Sequence, residues 1–422
     1  MDEENPTPER LPAPPTSGPL PGKVIGMRKR SLPVSRRELL AAALLTSGLG
    51  LVGTAAPAAA RPRALSRFTL PAPTGPACLG TVALHLADPT RTDPWVPAHP
   101  ARELMVQIWY PARDTRAYPA APWLSAGAVP HFADSFGLPA DLVRATTTHA
   151  RTGAPVDRRA GGHPVLLYSP GLGGDRGTST ALAEDLAGHG YVVVTIDHTH
   201  DASEVEFPDG RVEVAAIPEI DDQVIGQVAA VRAADTRFVL DQLAAINAGT
   251  HRLTGGLRGA FDLSRVGMFG HSLGGSTTAA VMHDDPRVRA GVNLDGTLVG
   301  AAAVAGSGRP FLLLSSDHGP GAEDPTWDTF WANQRGWKRE LSLSGAAHGS
   351  FNDGVVFYPQ AAPIIGLTPE QLAELVGTLE PQRSVGIQRA YLRAFFDQHL
   401  RGGDGRLLRA ADSRYPEMRF VR

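Results

Sequence analysis

The segment 266–275, which reads Val-Gly-Met-Phe-Gly-His-Ser-Leu-Gly-Gly, constrains the fold more than any other part of the sequence. An apolar strand pattern leads into Gly-x-Ser-x-Gly, and a helix pattern rich in small residues follows over 276–282. A strand, a sharp turn and a helix in this order form the context of a nucleophile elbow, in which a strained turn exposes a serine hydroxyl. Gly270 and Gly274 leave no Cβ where the strand and the helix crowd that turn. The segment therefore predicts Ser272 as a nucleophile, with a plain glycine-rich turn as the alternative.

Strand and helix patterns alternate along most of the chain. Buried strand patterns at 164–169 and 191–196 flank a helix pattern, and the connections between them are short. Such a βαβ unit makes its strands parallel and covers both faces of the sheet. We therefore predict an α/β fold with a mostly parallel central sheet and helices on both faces. The other predicted strands are 81–86, 104–110, 265–269, 290–294, 311–315 and 339–343, and the predicted helices besides 276–282 are 179–188, 221–245, 369–379 and 385–400.

The first sixty residues have the composition of a leader. Residues 1–22 are rich in proline and polar residues, which predicts disorder. A basic region with paired Arg36 and Arg37, an apolar run at 39–52 and three alanines ending at Ala60 follow. These are the parts of a signal peptide, and the arginine pair favours the twin-arginine route. We predict export to the periplasm or the medium, with Met1 or Met27 as the start; a membrane anchor is the weaker alternative, since a spanning helix needs about 20 apolar residues.

The sequence after the leader divides into a linker at 61–80, a catalytic domain at 81–401 and a loosely held tail at 402–422. Inside the domain, residues 112–162 lose periodicity and consist mainly of Pro, Ala and Gly with scattered aromatic residues. Long segments of this kind are commonly lids or binding loops. A surface excursion that merely packs is the alternative interpretation of this insertion.

Composition excludes several classes of function. The net charge is −3, and no block of Lys and Arg occurs outside the amino terminus, so no nucleic-acid partner is expected. The single cysteine, Cys78, excludes an intramolecular disulfide and is interpreted as a small apolar filler. His198, His200 and Asp201 follow a strand at the same sheet edge as the serine, where they are expected to line the mouth of the site; cation binding is the alternative. We predict no metal, no organic cofactor and no obligate protein partner.

A serine hydroxyl needs a base within hydrogen-bond reach and an acid that fixes the tautomer of that base. His348 lies in a glycine-containing loop just beyond the last predicted strand, which is where the base belongs in the order serine, acid, histidine. His283 and His399 fall in or after helices and are expected at the surface. His271, next to the nucleophile, is expected to pack or to position the elbow.

Two aspartates are candidates for the acid. Asp295 follows the strand pattern 290–294, and Asp317 follows the next one, 311–315. Either would reach a histidine loop at the same sheet edge, and a turn-forming role before Gly296 is the alternative for Asp295.

Backbone N–H groups must also stabilise, by hydrogen bonding, the negative charge that develops on the substrate carbonyl oxygen. The amide of Leu273, just after the nucleophile, is one expected donor. The amide of Leu172 is the other, because it lies between glycines in the loop after the strand 164–169. A phosphate cradle at this loop is disfavoured, since no Gly-Lys-Ser/Thr follows.

Several of these motifs resemble the platelet-activating factor acetylhydrolases of the plasma and intracellular type II kind, a family with the α/β-hydrolase fold. The likeness covers residues 81–400 and rests on Tyr-Ser-Pro-Gly-Leu-Gly-Gly at 168–174, Leu-Ala-Gly-His-Gly-Tyr at 186–191, Ile-Asp-His at 196–198, the elbow at 270–275, Asn-Leu-Asp-Gly at 293–296 and Gly-Ala-Ala-His at 345–348. In that family the acid follows the strand after the elbow helix, which favours Asp295 over Asp317. Pro170 stands where a histidine is usual, and Gly296 and Thr297 replace a bulkier run. A secondary likeness links the chain to secreted actinobacterial lipases and cutinase-like hydrolases, which place the acid one strand later.

The resemblance implies a secreted serine carboxylic ester hydrolase that acts on short-acyl esters, phospholipid sn-2 acetyl esters among them, with transient contact to a lipid surface. Ser272, His348 and Asp295 would form the triad, and the amides of Leu172 and Leu273 the oxyanion hole. Two alternatives stay open: a lipase or cutinase-like polyester hydrolase, and a binding protein that kept the fold without catalysis.

Overall fold

The computed structural model describes residues 66–252, 256–317 and 324–422, so the predicted leader and signal peptide lie outside the described residues. The strands in this part of the chain are β1 (Cys78–Asp88), β2 (Arg102–Ala112), β3 (Ala120–Pro122), β4 (Thr147–Thr152), β5 (His163–Ser169), β6 (Val192–Asp197), β7 (Glu204–Glu206), β8 (Val212–Val214), β9 (Phe261–His271), β10 (Val288–Leu294), β11 (Phe311–Ser315), β12 (Lys338–Leu343) and β13 (Met418–Phe420). The helices are α1 (Ala128–Phe136), α2 (Ala140–Arg144), α3 (Thr180–Gly188), α4 (Asp222–Ala248), α5 (Leu273–Asp284), α6 (Ala301–Val304), α7 (Pro325–Asn333), α8 (Gly354–Ile365), α9 (Pro369–Val376) and α10 (Pro381–Arg401).

Within the described residues, one sheet of 11 strands has the order β13-β12-β11-β10-β9-β5-β6-β2-β1-β4-β3, and β7 pairs with β8 in a separate hairpin. The strands from β6 through β5, β9, β10 and β11 to β12 are parallel. Antiparallel pairs flank this block, with β2 beside β6 and β13 beside β12. The predicted mostly parallel sheet is therefore confirmed. None of the described helices combines the length and the apolar character that a membrane span requires.

Strand β5 shows why the central strands are apolar throughout. Val165 and Leu167 pack into the core cluster that contains the side chains of α4 and α5. Leu166 and Tyr168 point the other way, into the cluster formed with α3 and α10. Because side chains alternate between the faces of a strand, a sheet covered by helices on both faces needs a continuous apolar run rather than an alternating pattern.

The insertion at 112–162 contains more regular structure than its sequence pattern indicates. It carries β3, α1, α2 and β4, and its two strands extend the edge of the main sheet. The ring of Trp123 lies 5.0 Å from the ring of Phe132 and 4.2 Å from that of Phe357 on α8. These elements are too short to show a hydrophobic period. Helix α8 was also not predicted, because Pro359 and Pro363 lie inside it.

Both ends of the described chain are held more firmly than expected. The tail, predicted to be loose, adds β13 to the sheet and buries Met418. Phe68 and Leu70, in the predicted linker, are also buried. The interpretation of Cys78 as an apolar filler is wrong, since this residue begins an outer strand and is exposed.

Buried carboxylates lie in one cavity beneath the insertion. Asp175, Asp197 and Glu204 line it together with Arg176. Asp197 accepts hydrogen bonds from the backbone and the side chain of Arg176, whereas neither carboxylate oxygen of Glu204 has a partner among the described residues. Burial, together with the charges of Asp175 and Asp197, raises the pKa of Glu204 to about 9. A neutral Glu204 is therefore part of the folded state at neutral pH.

The raised pKa of Glu204 predicts that the folded protein loses stability as the pH rises. Between the ordinary pKa of 4.5 and about 9, the folded state keeps a proton on Glu204 that the unfolded chain has released, so the contribution of Glu204 to stability falls as the pH rises. At pH 8.5, we expect urea denaturation to give Glu204→Gln a free energy of unfolding about 1–3 kcal/mol higher than that of the parent. This difference should shrink at pH 5. Exposed Glu219→Gln is the matched control. A gap of the same size at both pH values would contradict this account.

Candidate active site

Ser272 occupies a strained turn between β9 and α5. Its backbone lies at φ 55° and ψ −126°, a conformation that a residue with a Cβ rarely adopts. The Ser272 N–H donates to the Leu294 carbonyl at 2.9 Å, which ties the turn to the adjacent parallel strand β10. The residue is partly exposed, while His271 and Leu273 on either side are buried. The turn therefore presents the hydroxyl at the carboxyl edge of the sheet.

Close backbone contacts explain the glycines of this turn. A Cβ on Gly270 would lie 2.2 Å from the carbonyl carbon of Gly274, and a Cβ on Gly274 would lie 1.9 Å from the Ser169 carbonyl oxygen. Backbone cannot move away as a flexible side chain can, so both positions require glycine.

Asp295 sits immediately beyond β10, in a second turn that contacts the first. Its φ is 57°, and its N–H donates to the Leu314 carbonyl at 2.8 Å. A Cβ on the next residue, Gly296, would lie 2.0 Å from the Ser272 carbonyl oxygen. The Asp295 carboxylate accepts from the N–H and the hydroxyl of Ser316, at 2.7 and 3.0 Å. The carboxylate is thus buried, oriented and adjacent to the serine turn.

His348 completes the cluster from the loop after β12. Its Nδ1 lies 2.8 Å from Asp295 Oδ2, and its side chain is 40% exposed. With Nδ1–H donated to the carboxylate, Nε2 carries the lone pair that a general base needs. The Ser272 hydroxyl makes no hydrogen bond to any described group, and such contacts often tighten only when substrate binds.

His271 supports this loop rather than titrating. Its Nε2 donates to the His348 carbonyl at 2.9 Å, and the two rings lie 4.6 Å apart. Burial, reinforced by the nearby His348, lowers the pKa of His271 to about 3. His271 is therefore neutral at working pH, in line with the predicted positioning role.

The other candidate acid and bases lie apart from this cluster. Asp317 pairs with Arg419 of β13, and its N–H donates to the Ala346 carbonyl. The exposed His283 lies near the Gly306 carbonyl, and His399 packs against Trp337.

The loop after β5 lies directly on the nucleophile turn. A Cβ on Gly171 would be 3.3 Å from the Cβ of Ser272. Within the described residues, the amides of Leu172 and Leu273 donate to no other group, so both can serve an incoming oxygen. Their side chains belong to one apolar cluster. The structure therefore brings both predicted oxyanion donors to the serine.

That apolar cluster forms a partly exposed wall beside the serine. Leu273 is buried in it together with Ile225 and Val228 of α4. Partly exposed members complete the wall: Trp95, Leu172, Ile217, Ile220, Val224 and Val299. A wall of this composition offers contact to an apolar group.

The predicted cluster of His198, His200 and Asp201 does not form a common site. His198 lies between the Ser169 hydroxyl and the Asp235 carboxylate, at 3.0 Å from each. His200 instead pairs with Asp93 and Glu213, and Asp201 pairs with a buried arginine.

Among the residues that the structure describes, one other group of side chains of the metal-ligating type lies close together. Atoms of His99, His200 and Glu213 lie within 4.8 Å of one another. Glu213 already accepts from Arg211 at 2.8 Å, and His200 lies 3.0 Å from both Asp93 and Glu213. The positive charge of Arg211 beside Glu213 disfavours the binding of a metal cation there. We therefore interpret these residues as an ion-pair network that needs no metal.

Sequence reasoning missed three residues that shape the site. Ser316 orients Asp295, and Asn293 bonds both backbone groups of Gly296, at 2.6 and 2.9 Å. Arg232 of α4 is fully buried beside the loop after β5. The only signal for it in the sequence was its helical spacing from the apolar Val228 and Ala229.

Comparisons with known proteins find ester hydrolases among the relatives of this chain. The family model for platelet-activating factor acetylhydrolase, isoform II, matches residues 66–402. A probable 1-alkyl-2-acetylglycerophosphocholine esterase of Arthroderma benhamiae is 30% identical over 385 residues, spanning 84% of this chain and 94% of the relative. Cutinase 1 of Thermobifida cellulosilytica is 29% identical over 131 residues, spanning 31% of this chain and 38% of the cutinase. The solved ferulic acid esterase of Streptomyces cinnamoneus superposes with a TM-score of 0.74 at 38% identity, covering 84% of this chain and 99% of that one.

The structural likeness to an esterase confirms the α/β-hydrolase fold. The family match covers nearly all of the described chain, and the fungal relative matches along most of its own length. We conclude that this chain is a carboxylic ester hydrolase that belongs to the platelet-activating factor acetylhydrolase isoform II family.

Proposed function

We propose that the protein is a secreted serine hydrolase that cleaves short-acyl, lipid-type esters through Ser272, His348 and Asp295. The observation that carries this proposal is the 2.8 Å contact from His348 Nδ1 to Asp295 Oδ2, next to a serine in an elbow turn. The contact supports a base whose Nδ1–H is held by the carboxylate, which leaves the Nε2 lone pair to accept the serine proton.

The proposed reaction has two steps. The Ser272 oxygen attacks the ester carbonyl carbon while His348 takes the hydroxyl proton, and His348 then returns that proton to the leaving alcohol. Water cleaves the acyl-enzyme by the same route. Asp295 holds the tautomer of His348 and stabilises its positive charge, while the amides of Leu172 and Leu273 bind the oxyanion.

The substrate class rests on family membership and on the apolar wall beside the oxyanion loop. The fungal relative is named for hydrolysis of an acetylated ether phospholipid. The wall offers apolar contact to a lipid-type group, and Trp95 and Leu172 lie at its partly exposed side. A short acyl chain on a lipid alcohol fits this combination.

A p-nitrophenyl ester series from acetyl to palmitoyl tests the substrate class. With residues 61–422, we expect kcat/KM to be highest for acetyl to butyryl esters and to fall by at least about tenfold towards the long chains. A maximum at twelve or more carbons would favour a lipase or polyester hydrolase. Rates at the uncatalysed background in both the parent and Ser272→Ala would favour a binding protein.

A second candidate substrate follows from the solved structure. The Streptomyces enzyme that matches at 38% identity is named a ferulic acid esterase. The apolar wall would also accept a planar aromatic acyl group. p-Nitrophenyl ferulate in the same series separates the two, because it shares the leaving group of the acetyl ester, and a higher kcat/KM for it would assign the enzyme to aromatic acyl esters.

Secretion is also part of the proposal. Arg36, Arg37, the apolar run at 39–52 and the alanines ending at Ala60 support export by the twin-arginine route. Mass measurement of the protein from culture medium tests it, since a chain that keeps residues 1–60 would contradict cleavage.

A further inference from the structure

We propose that Arg232 is a positioning residue that fixes the orientation of the Leu172 amide, and that Asp201 holds Arg232 in place for this task. The inference rests on the proposed function, in which the Leu172 N–H binds the oxyanion. It assigns a role to a buried ion pair that does not touch the substrate.

The contacts of Arg232 fall on the backbone that leads to Leu172. The guanidinium is fully buried, and its Nη1 donates to the Pro170 carbonyl at 2.5 Å. Its Nη2 donates to the Gly171 carbonyl at 2.9 Å. The Gly171 carbonyl and the Leu172 N–H belong to the same planar, trans peptide unit, so they point in opposite directions. A guanidinium that holds that carbonyl therefore aims that N–H to the other side.

The loop depends on such a restraint because its glycine-rich sequence restricts its backbone little. Gly171, Gly173 and Gly174 flank Leu172, and Gly173 has a φ of 74°. Glycine has little preference between left- and right-handed conformations, so a peptide unit beside a glycine can flip to the opposite orientation at a low cost in free energy. Apart from Arg232, the Gly174 N–H holds the Gly171 carbonyl, at 3.0 Å.

Asp201 fixes the plane of the guanidinium and also contacts the far side of the loop. Its carboxylate accepts from Arg232 Nε at 2.5 Å and from Nη2 at 2.6 Å, a two-bond fork that defines orientation as well as position. Asp201 Oδ1 also lies 3.2 Å from the Gly173 N–H. The buried positive charge is thereby neutralised, and the loop is held on both sides of Leu172.

The same helix aligns the two oxyanion donors. Arg232 lies on α4 one turn after Val228, which packs with Leu273, the residue that carries the second amide. Helix α4 therefore contacts the loop of one donor through an ion pair and the turn of the other through apolar packing.

Arg232→Lys tests the assignment, because lysine keeps the charge beside Asp201 but cannot form the planar fork. We expect kcat to fall about 10- to 100-fold with KM within about threefold, since a small misplacement of a catalytic group has an effect of this size. The matched control is Arg389→Lys, another buried arginine, whose guanidinium donates to the Pro71, Ala72 and Ala181 carbonyls and to none in the loop at 170–174. It should lower the melting temperature without changing kcat by more than about twofold.

Inhibition by a trifluoromethyl ketone distinguishes a misplaced oxyanion donor from a general loss of packing. The Ser272 oxygen adds to its carbonyl carbon as His348 takes the hydroxyl proton, and the resulting hemiketal oxyanion needs the Leu172 amide. We expect Ki for this ketone to rise in Arg232→Lys by the same factor as kcat/KM falls. The affinity for the corresponding alcohol, which forms no oxyanion, should stay unchanged. Asp201→Asn should also lower kcat and raise Ki, and it serves as the test if the arginine variant does not fold.

The outcomes separate this inference from the proposed function. An inactive Ser272→Ala together with a folded Arg232→Lys of parental kcat and Ki would overturn the inference and leave the proposed function intact. Equal losses of kcat in Arg232→Lys and Arg389→Lys would also overturn it. Parental activity in Ser272→Ala would overturn both.

Discussion

Replacing Ser272 by alanine is expected to lower kcat by at least about 10⁴-fold on every ester that the parent cleaves. Alanine has no hydroxyl to form the acyl-enzyme, and only the oxyanion donors and substrate binding remain to assist water. Both residues carry a Cβ, so alanine bears the same backbone strain at a φ of 55°. Stability should therefore change by less than about 1 kcal/mol.

Initial rates across the p-nitrophenyl series, measured with thermal unfolding of both proteins, check this expectation. The prediction is wrong if a folded alanine variant keeps more than about one-hundredth of the parental rate. Such a result would move the nucleophile elsewhere, or would require direct attack by water.

Asp295→Asn should reduce kcat by about 10³- to 10⁴-fold with little change in the fold. The Asp295 carboxylate accepts the Nδ1–H of His348 at 2.8 Å, whereas an asparagine amide can turn its NH₂ group towards that nitrogen. His348 would then carry its proton on Nε2 and could not accept the proton of Ser272. Steady-state kinetics on the best ester of the series measures the loss.

Asp317→Asn is the matched control for this substitution. Asp317 follows the strand β11, which neighbours β10, but it forms a partly exposed ion pair with Arg419. Its loss should change stability by less than about 1 kcal/mol and kcat by less than about twofold. If instead Asp317→Asn abolished turnover and Asp295→Asn did not, the acid would lie one strand later, as in the cutinase-like pattern.

The nucleophile turn was readable from the sequence because its requirements are local. A glycine on each side of Ser272, a strand before it and a helix after it all fall within a few residues, and each is present in the structure. The parallel sheet was predictable for a similar reason, since the apolar runs at β5 and β6 are continuous and the helix between them is short.

The choice between the two aspartates was not readable from the residues alone. Asp295 and Asp317 both follow buried strands, and the sequence pattern gives no strand order. In the sheet, β10 lies beside β9 and β11 lies one strand further away. The turn of Asp295 therefore touches the turn of Ser272, and the family resemblance had favoured the same residue.

The role of Arg232 and the structure of the insertion depend on contacts distant in the sequence. Arg232 meets Pro170 and Asp201 only after α4 has packed beside the sheet. The short elements of the insertion are stabilised by aromatic contacts such as that of Trp123 with Phe357. Tertiary packing of this kind overrides local propensity, so no local sequence pattern predicts these contacts.

Covalent labelling tests the central claim most directly. A p-nitrophenyl alkylphosphonate places an electrophilic phosphorus where the ester carbonyl would lie, and attack by an activated serine releases one p-nitrophenolate. Intact-mass and peptide analysis should find one phosphonyl group per chain, on the peptide that contains Ser272, with activity lost in proportion to labelling. Ser272→Ala should remain unlabelled. Labelling of another residue in step with the loss of activity, or full activity in a fully labelled protein, would contradict the account.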